Sequence, residues 1–556
     1  MLKAAIGTLR CMLKLSENQL AANVFIVLTI WIGSIAFSVN SALKVLCLTT
    51  DAVLIVFIYR LTFHPLAHFP GPWLAALTDS YTVYHCLAGD RHLDFLRLHQ
   101  KYGPAVRFGP NRVSFCTDKA VLDIYGVRAN TQKSQVYNAF THFFSVPASL
   151  TTIDRKAHGF KRRVTSSALS ASAVKGLQDL ILQNVRIFCA SLQEDKSPTA
   201  EGEWSRSHDM SKTIQYLLSD IMGDVTFSRN WSTQSSPANR HILDLMSLGT
   251  SGIHLAGHIP TVLKLKLDKI CFPSLIKGVQ EFFQLSEAQS IWRVAQDPST
   301  LPNRDLFAAL LDARDPETQK QYSQQDLIAE AGILIVAGTD TTSTATTATL
   351  FYLLHNEDSY IRAREEVDNV FMRTRQSDVE VIRMGPQLSE CSFLYACINE
   401  ALRLSPPVPG LLPREVLAGG LEIDEGRYYV PAGTDVGVPT YALHHMAEYW
   451  PDPYGFCPER WLDCSSAEQM PAYTPFGAGR TGCVGKGLAY QEMGIILARL
   501  LWLFDMRLDP ALGGVTKRET APFWQPSWGR QRRGEFQMRD VFTSTHEGPS
   551  VQFRRR

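Results

Sequence analysis

The sequence predicts a mainly α-helical fold with small β-sheets, preceded by one or two N-terminal transmembrane segments. Three observations predict it. Long helical patterns dominate from about Thr117 to Arg403. The strand-like runs are short, as in Ala105–Phe108 and Arg427–Val430. Ala21–Leu43 runs without a charge and suits a membrane-spanning helix.

The apolar start has two parts. Ala21–Leu43 is too long for a cleaved signal peptide and lacks a cleavage site, so a retained anchor is expected. Val45–Tyr59 is interrupted by Asp51 and closed by Arg60, which leaves a second span, a re-entrant segment or an interfacial helix open. Lys3, Arg10 and Lys14 before the pair and Arg60 after it favour a hairpin with both flanks on the cytosolic side; Lys44 in the turn weighs against it. His64-Pro-Leu-Ala-His-Phe-Pro-Gly-Pro-Trp73 follows, and its three prolines predict a stiff, extended spacer. No second linker, repeat or low-complexity block is visible beyond it. The tail after Leu508, rich in Gly, Pro and aromatics, predicts short strands around a turn.

Composition narrows the function. With 556 residues and 45% hydrophobic content, the chain can bury a large core. Its 55 basic and 54 acidic residues nearly cancel, and nothing argues for a nucleic-acid partner. The 11 cysteines are scattered and odd in number, which reads as reduced thiols facing the cytosol. Asn230-Trp-Ser232 is a glycosylation acceptor by pattern alone.

Chemistry concentrates in a few segments. Phe476-Gly-Ala-Gly-Arg-Thr-Gly-Cys483-Val-Gly485 sets one cysteine in a glycine-rich loop directly before a helix-forming run. Loop N–H groups and a helix N-terminus both stabilise a thiolate, the form that binds a metal. Alone, such a cysteine reads as a buried structural residue. In Gln325–His355, Ala337-Gly-Thr-Asp-Thr-Thr342 makes poor helix interior; its hydroxyls are expected to bond back one turn and loosen the helix. Asp340 and Thr341 there offer a carboxyl and a hydroxyl for proton transfer. Glu400-Ala-Leu-Arg403 puts both charges on one helical face, and Pro458-Glu-Arg460 follows later.

Together these segments resemble the cytochrome P450 superfamily, of the fungal, membrane-anchored microsomal type, over roughly residues 60 to 556. The resemblance implies a cytochrome P450 fold over 63–556 behind an anchor at 1–62. It implies haem b held by Cys483, with Phe476, Gly477 and Gly485 shaping the loop. His158, Arg162, Arg414 and Arg480 are the implied partners of the haem propionates. Two departures stand out: Thr481 occupies the slot where the family usually has Arg or His, and His158 stands where it usually has Trp. Glu400, Arg403 and Arg460 are implied to form a buried structural network. Phe140, Phe143, Phe144, Leu334, Ala337, Leu411, Leu412 and Phe542 fall in substrate-contact segments.

The implied activity is a monooxygenase that inserts one oxygen atom of O2 into an apolar organic substrate, by hydroxylation or a related oxidation, in fungal secondary metabolite biosynthesis, with Asp340 and Thr341 moving protons. No dinucleotide fingerprint or flavin domain appears, so electrons are expected from NADPH–cytochrome P450 reductase and cytochrome b5, docking near Lys486 and Arg163. The implied location is the endoplasmic reticulum membrane, with the catalytic domain facing the cytosol. A haem-thiolate isomerase or dehydratase working without a reductase, and a non-catalytic haem protein, are the rivals. Asp340 and Thr341 argue against both.

Overall fold

The structure is a computed structural model, and it describes residues 41–194, 204–301, 304–372, 378–462, 471–510, 529–530, 532 and 534–556. The Ala21–Leu43 stretch and its basic flank lie almost wholly outside these residues. The second apolar stretch is helical: α1 (Ser41–Ile58) continues as a wider turn through Phe63. Leu46–Phe63 is long and apolar enough to cross a membrane. Leu46, Val53, Leu54 and Ile58 on it are exposed, so their apolar surface is not covered by the described residues.

The proline segment departs from the expected extended spacer. Residues 65–68 turn, Leu66 is fully buried, and the Phe69 ring meets Phe115 at 6.1 Å and Tyr428 at 6.0 Å. Prolines stop the helix as expected, but burial of two apolar side chains folds the segment onto the domain.

Around the core run α2 (Arg91–Tyr102), α3 (Asn138–Phe144), α4 (Arg155–Ala168), α5 (Met210–Phe227), α6 (His241–Gly257), α7 (Pro273–Val294), α8 (Gln324–His355), α9 (Ser392–Leu404) and α10 (Lys486–Leu503). The axis of the molecule is α8. Ser323 caps it, its hydroxyl accepting from Asp326 N while the Asp326 carboxylate accepts from Ser323 N, each at 3.2 Å. It is apolar or small on most faces and packs against α5, α7, α9 and α10.

Five short strands form the main sheet: β1 (Ala105–Gly109), β2 (Arg112–Phe115), β3 (Thr131–Lys133), β4 (Arg414–Val416) and β5 (Asp435–Gly437), in the order β1-β2-β5-β4-β3. Only the β2–β5 pairing is parallel. In the tail, β6 (Phe504–Leu508) pairs with β9 (Ser550–Arg555), and β7 (Met538–Val541) forms a hairpin with β8 (Thr543–His546). Mainly helical architecture with small sheets is therefore what the structure has, including strands at both positions the sequence marks before residue 431 and in the tail.

Candidate functional site: a thiolate loop ringed by cations

The loop before α10 is folded by its own backbone. Cys483 N donates to Phe476 O at 2.7 Å and Gly482 N to Gly479 O at 3.2 Å. Gly477 and Gly479 adopt φ of 68° and 60°, and a Cβ on Gly479 would meet Tyr125 O at 1.9 Å. Only glycine fits that position. Gly485 has an ordinary φ of −83° and caps α10. Its N–H and that of Lys486 both point at the Cys483 sulfur. Burial raises the thiol pKa, while these N–H groups and the charges of Arg162 and Lys486 lower it. Cys483 is nonetheless an exposed residue, so it is not packed into the core. Phe476 lies 5.2 Å from Tyr490, and the Lys486 ammonium sits 5.7 Å over the Phe476 ring.

A ring of cations stands around the loop. Arg162 donates to Gly482 O at 2.7 Å. Arg414 donates to the Thr481 hydroxyl at 2.7 Å, so the residue in the unusual slot is tied to an arginine instead of being one. Arg480 reaches the Val127 carbonyl at the rim. His158 is half-buried among Lys133, Arg162, Arg414 and Arg480; burial first, then these charges, pull its pKa down to about 4.

Lys133 is the member that sequence reasoning missed. It faces Arg414 directly across the β3–β4 ladder. Burial and then Arg414 and Arg162 pull its ammonium down to about 7, and it donates to Leu150 O at 2.6 Å and Ser149 O at 3.2 Å. Like charges directly opposed on a sheet repel. The arrangement is one that an anionic group settles.

On α8 the helix runs unbroken through Ala337–Thr342. The expected back-bonding is present: Thr341 donates to Ala337 O at 2.6 Å and Thr344 to Asp340 O at 2.9 Å. Ala337 is exposed and Thr341 half-exposed, although the helix lies in the middle of the molecule. Asp340 is buried, with Gln215 and Thr543 each 3.4 Å from its carboxylate, and burial pushes it up to about 6. Thr342 hydrogen-bonds Glu492 on α10, which joins the helix of Thr341 to the helix that begins behind Cys483.

Glu492 is fully buried and pushed up to about 8. Its folded pKa lies above the ordinary 4.5, so the folded state holds its proton more tightly. Its contribution is intact below about pH 4.5, stability falls as pH rises towards 8, and the loss is level beyond that. Glu492→Gln is therefore expected to stabilise the protein by a few kcal/mol at alkaline pH and hardly at all near pH 4. Thermal melts at the two pH values check it; an equal gain at both would remove the titration as the cause.

Glu400 and Arg403 are fully buried and joined side-on at 2.8 and 2.9 Å. Glu400 also accepts from Arg460 at 3.0 Å, Trp461 at 2.9 Å and Cys457 N at 3.2 Å. Arg403 donates further to the His444, Pro453 and Gly455 carbonyls. His444 closes the link to the cysteine loop: its Nδ1 donates to Arg403 O at 3.0 Å, and its Nε2 accepts from Thr474 N at 2.9 Å. Burial lowers its pKa to about 3 and keeps it neutral for both tasks.

The expected substrate-contact residues divide. Phe140, Leu411, Leu412 and Phe542 line one cavity with Arg91, His254 and Asp540. Phe143 instead borders a groove beside α7, and Phe144 is buried against Phe282 and Phe283.

An exposed cysteine at a helix N-terminus, under two backbone N–H groups and with cations around its loop, fits a haem-thiolate type of site. The donor set fits that group: one sulfur for iron and several cations for carboxylates. Comparison with known proteins agrees. The cytochrome P450 family profile matches residues 71–528, and the chain belongs to that family. It is 36% identical over 512 residues to the cytochrome P450 monooxygenase AKT7 of Alternaria alternata, covering 90% of this chain and 94% of the relative. It is 37% identical to poxM of Penicillium oxalicum over 498 residues, covering 90% and 92%, and 37% identical to atnE of Emericella nidulans over 510 residues, covering 89% and 93%. Both are also named cytochrome P450 monooxygenases. The chain is a cytochrome P450 monooxygenase by these relatives, with a haem-thiolate cofactor, a redox partner, O2 and an organic substrate implied by the family.

Proposed function

We propose that the chain hydroxylates, or otherwise oxidises, an apolar fungal secondary metabolite, using haem b on Cys483 and electrons from NADPH–cytochrome P450 reductase, with cytochrome b5 as a second donor. The observation that carries this reading is the exposed Cys483 under two backbone N–H groups, with Arg162 and Arg414 bonded to its loop and Lys133 opposite Arg414. Haem, when bound, supplies oxygen activation; the protein supplies ligation, orientation and protons.

Each residue has a defined share. Cys483 holds the iron, and Phe476, Gly477 and Gly485 keep its loop tight. Arg162, Arg414, Lys133 and His158 settle the propionates by charge and hydrogen bonding, and Arg480 supports that edge. Arg414 does so while fastened to Thr481, which explains how the loop manages without an arginine in that slot. Thr341 presents its hydroxyl at the open face of α8. Asp340, poised near pH 6 by burial, passes protons towards it. Lys486 and Arg163 are exposed and suit an acidic reductase face. The domain boundary falls at 62/63, with the apolar helix anchoring the chain to the endoplasmic reticulum and the catalytic domain in the cytosol.

The test is product analysis with reductase, NADPH and candidate precursors. Thr341→Ala is expected to lower product per NADPH by about 100-fold while the reduced carbon monoxide spectrum stays unchanged. Turnover with a hydroperoxide alone, and none with reductase, would replace the monooxygenase by an isomerase or dehydratase.

A further inference from the structure

The cavity that gathers Phe140, Leu411 and Phe542 has a polar end that the reading above does not use. Arg91, at the start of α2, is 4% exposed. Its Nε and Nη2 are buried without any hydrogen-bond partner, and no ion pair to its guanidinium is present among the described residues. The Phe95 ring lies 4.9 Å from its Cζ. Arg293 and Arg403, also buried, each spend Nε and Nη2 on one carboxylate. A buried guanidinium left unpaired is costly.

Asp540 feels the Arg91 charge, but no hydrogen bond joins the two among the described residues. Asp540 is fully buried, its Oδ1 accepting from Phe542 N at 3.3 Å and its Oδ2 unpartnered. Between the two lies the bare α-carbon of Gly410. A Cβ there would stand 2.6 Å from Asp540 Oδ2 and 2.9 Å from Arg91 Nη1, so glycine keeps this end open. His258 lines the same end; its Nδ1 accepts from Arg112 at 2.8 Å, which leaves the proton on Nε2 as a second donor. Apart from His254 and Tyr137, the rest of the wall is mostly apolar, with Ile253, Leu411, Phe140 and Phe542, the last two with rings 5.8 Å apart.

We propose that Arg91 is a specificity-determining residue that receives a substrate carboxylate, so that the substrate class is an apolar acid held by its carboxylate end. Nε–H and Nη2–H are the parallel pair that matches two carboxylate oxygens, and they are the two atoms left unpartnered. A phosphate dianion is a poorer match, because Asp540 stands beside the site. The inference rests on the monooxygenase reading for its use in turnover, though not for binding itself.

The experiment uses haem-loaded full-length protein and two probes, ω-imidazolyl dodecanoic acid and its methyl ester. Binding is read by calorimetry and by the shift of the haem absorption band. The acid is expected to bind about ten- to a hundred-fold tighter than the ester. Arg91→Gln and Arg91→Ala should erase that difference and leave ester affinity as it was, a pattern that a merely structural role would not give. Arg91→Lys should restore part of it. An acid that binds no tighter than its ester, or a preference that survives in Arg91→Ala, overturns the proposal. Acid preference in a protein that then forms no product with reductase and NADPH would keep the carboxylate site and defeat the monooxygenase reading instead.

Discussion

Cys483→Ser is expected to abolish the thiolate-type absorption band of the reduced carbon monoxide complex, and product formation with it. The loop directs two N–H groups and the Arg162 and Lys486 charges at one sulfur, an arrangement that favours an anion there. A serine hydroxyl does not ionise under those influences and gives a weak, hard ligand where iron takes a soft one. The loop itself should survive. Its fold depends on the Cys483 N to Phe476 O bond and on the left-handed glycines, none of which involves the sulfur. Circular dichroism should therefore be native while the band is lost. An unchanged band in the variant would remove Cys483 as the ligand.

Glu400→Ala is expected to cost about 3–5 kcal/mol and to leave little haem-loaded protein. The carboxylate is fully buried and serves Arg403, Arg460, Trp461 and the Cys457 amide at once. Removing it strands Arg403, also fully buried, with one uncompensated charge. Arg304 and Asp312 provide the contrast: their side chains are 72% and 65% exposed, and Arg304→Ala should cost under about 1 kcal/mol. Denaturant unfolding of the two variants gives both numbers. Equal small losses would show that the Glu400 cluster is no more than a surface-type pair. Because His444 ties Arg403 to the Thr474 amide, damage at Glu400 should also loosen the cysteine loop.

What the sequence discloses is whatever is local. The cysteine loop, the back-bonding threonines and the Glu400–Arg403 pair each lie within a few residues, so spacing alone describes their geometry. The third member, Arg460, came from its own short segment. Lys133, His444 and Arg91 carry no such mark. Lys133 meets Arg414 only because β3 pairs with β4, and His444 matters only because Arg403 and Thr474 converge on it. The proline segment shows the limit from the other side: proline fixes local torsions, but Leu66 and Phe69 decide that the segment packs instead of extending. Of the apolar pocket candidates, the rings looked alike in sequence; only packing separates Phe542, on a wall, from Phe144, in the core.

The Lys133–Arg414 opposition bears on how the chain lives before it works. Two cations held face to face, with Arg162 beside them, are a debt the polypeptide alone leaves open, and Lys133 meets it partly by giving up its proton near neutrality. A dicarboxylate that binds only the native form raises stability by mass action, in proportion to the logarithm of its free concentration. Cofactor supply thus becomes a term in folding as well as in catalysis. Chains made while haem is scarce should open first at the β3–β4 edge, and the quantity of enzyme in a cell should follow the size of the free haem pool more steeply than loading alone would require.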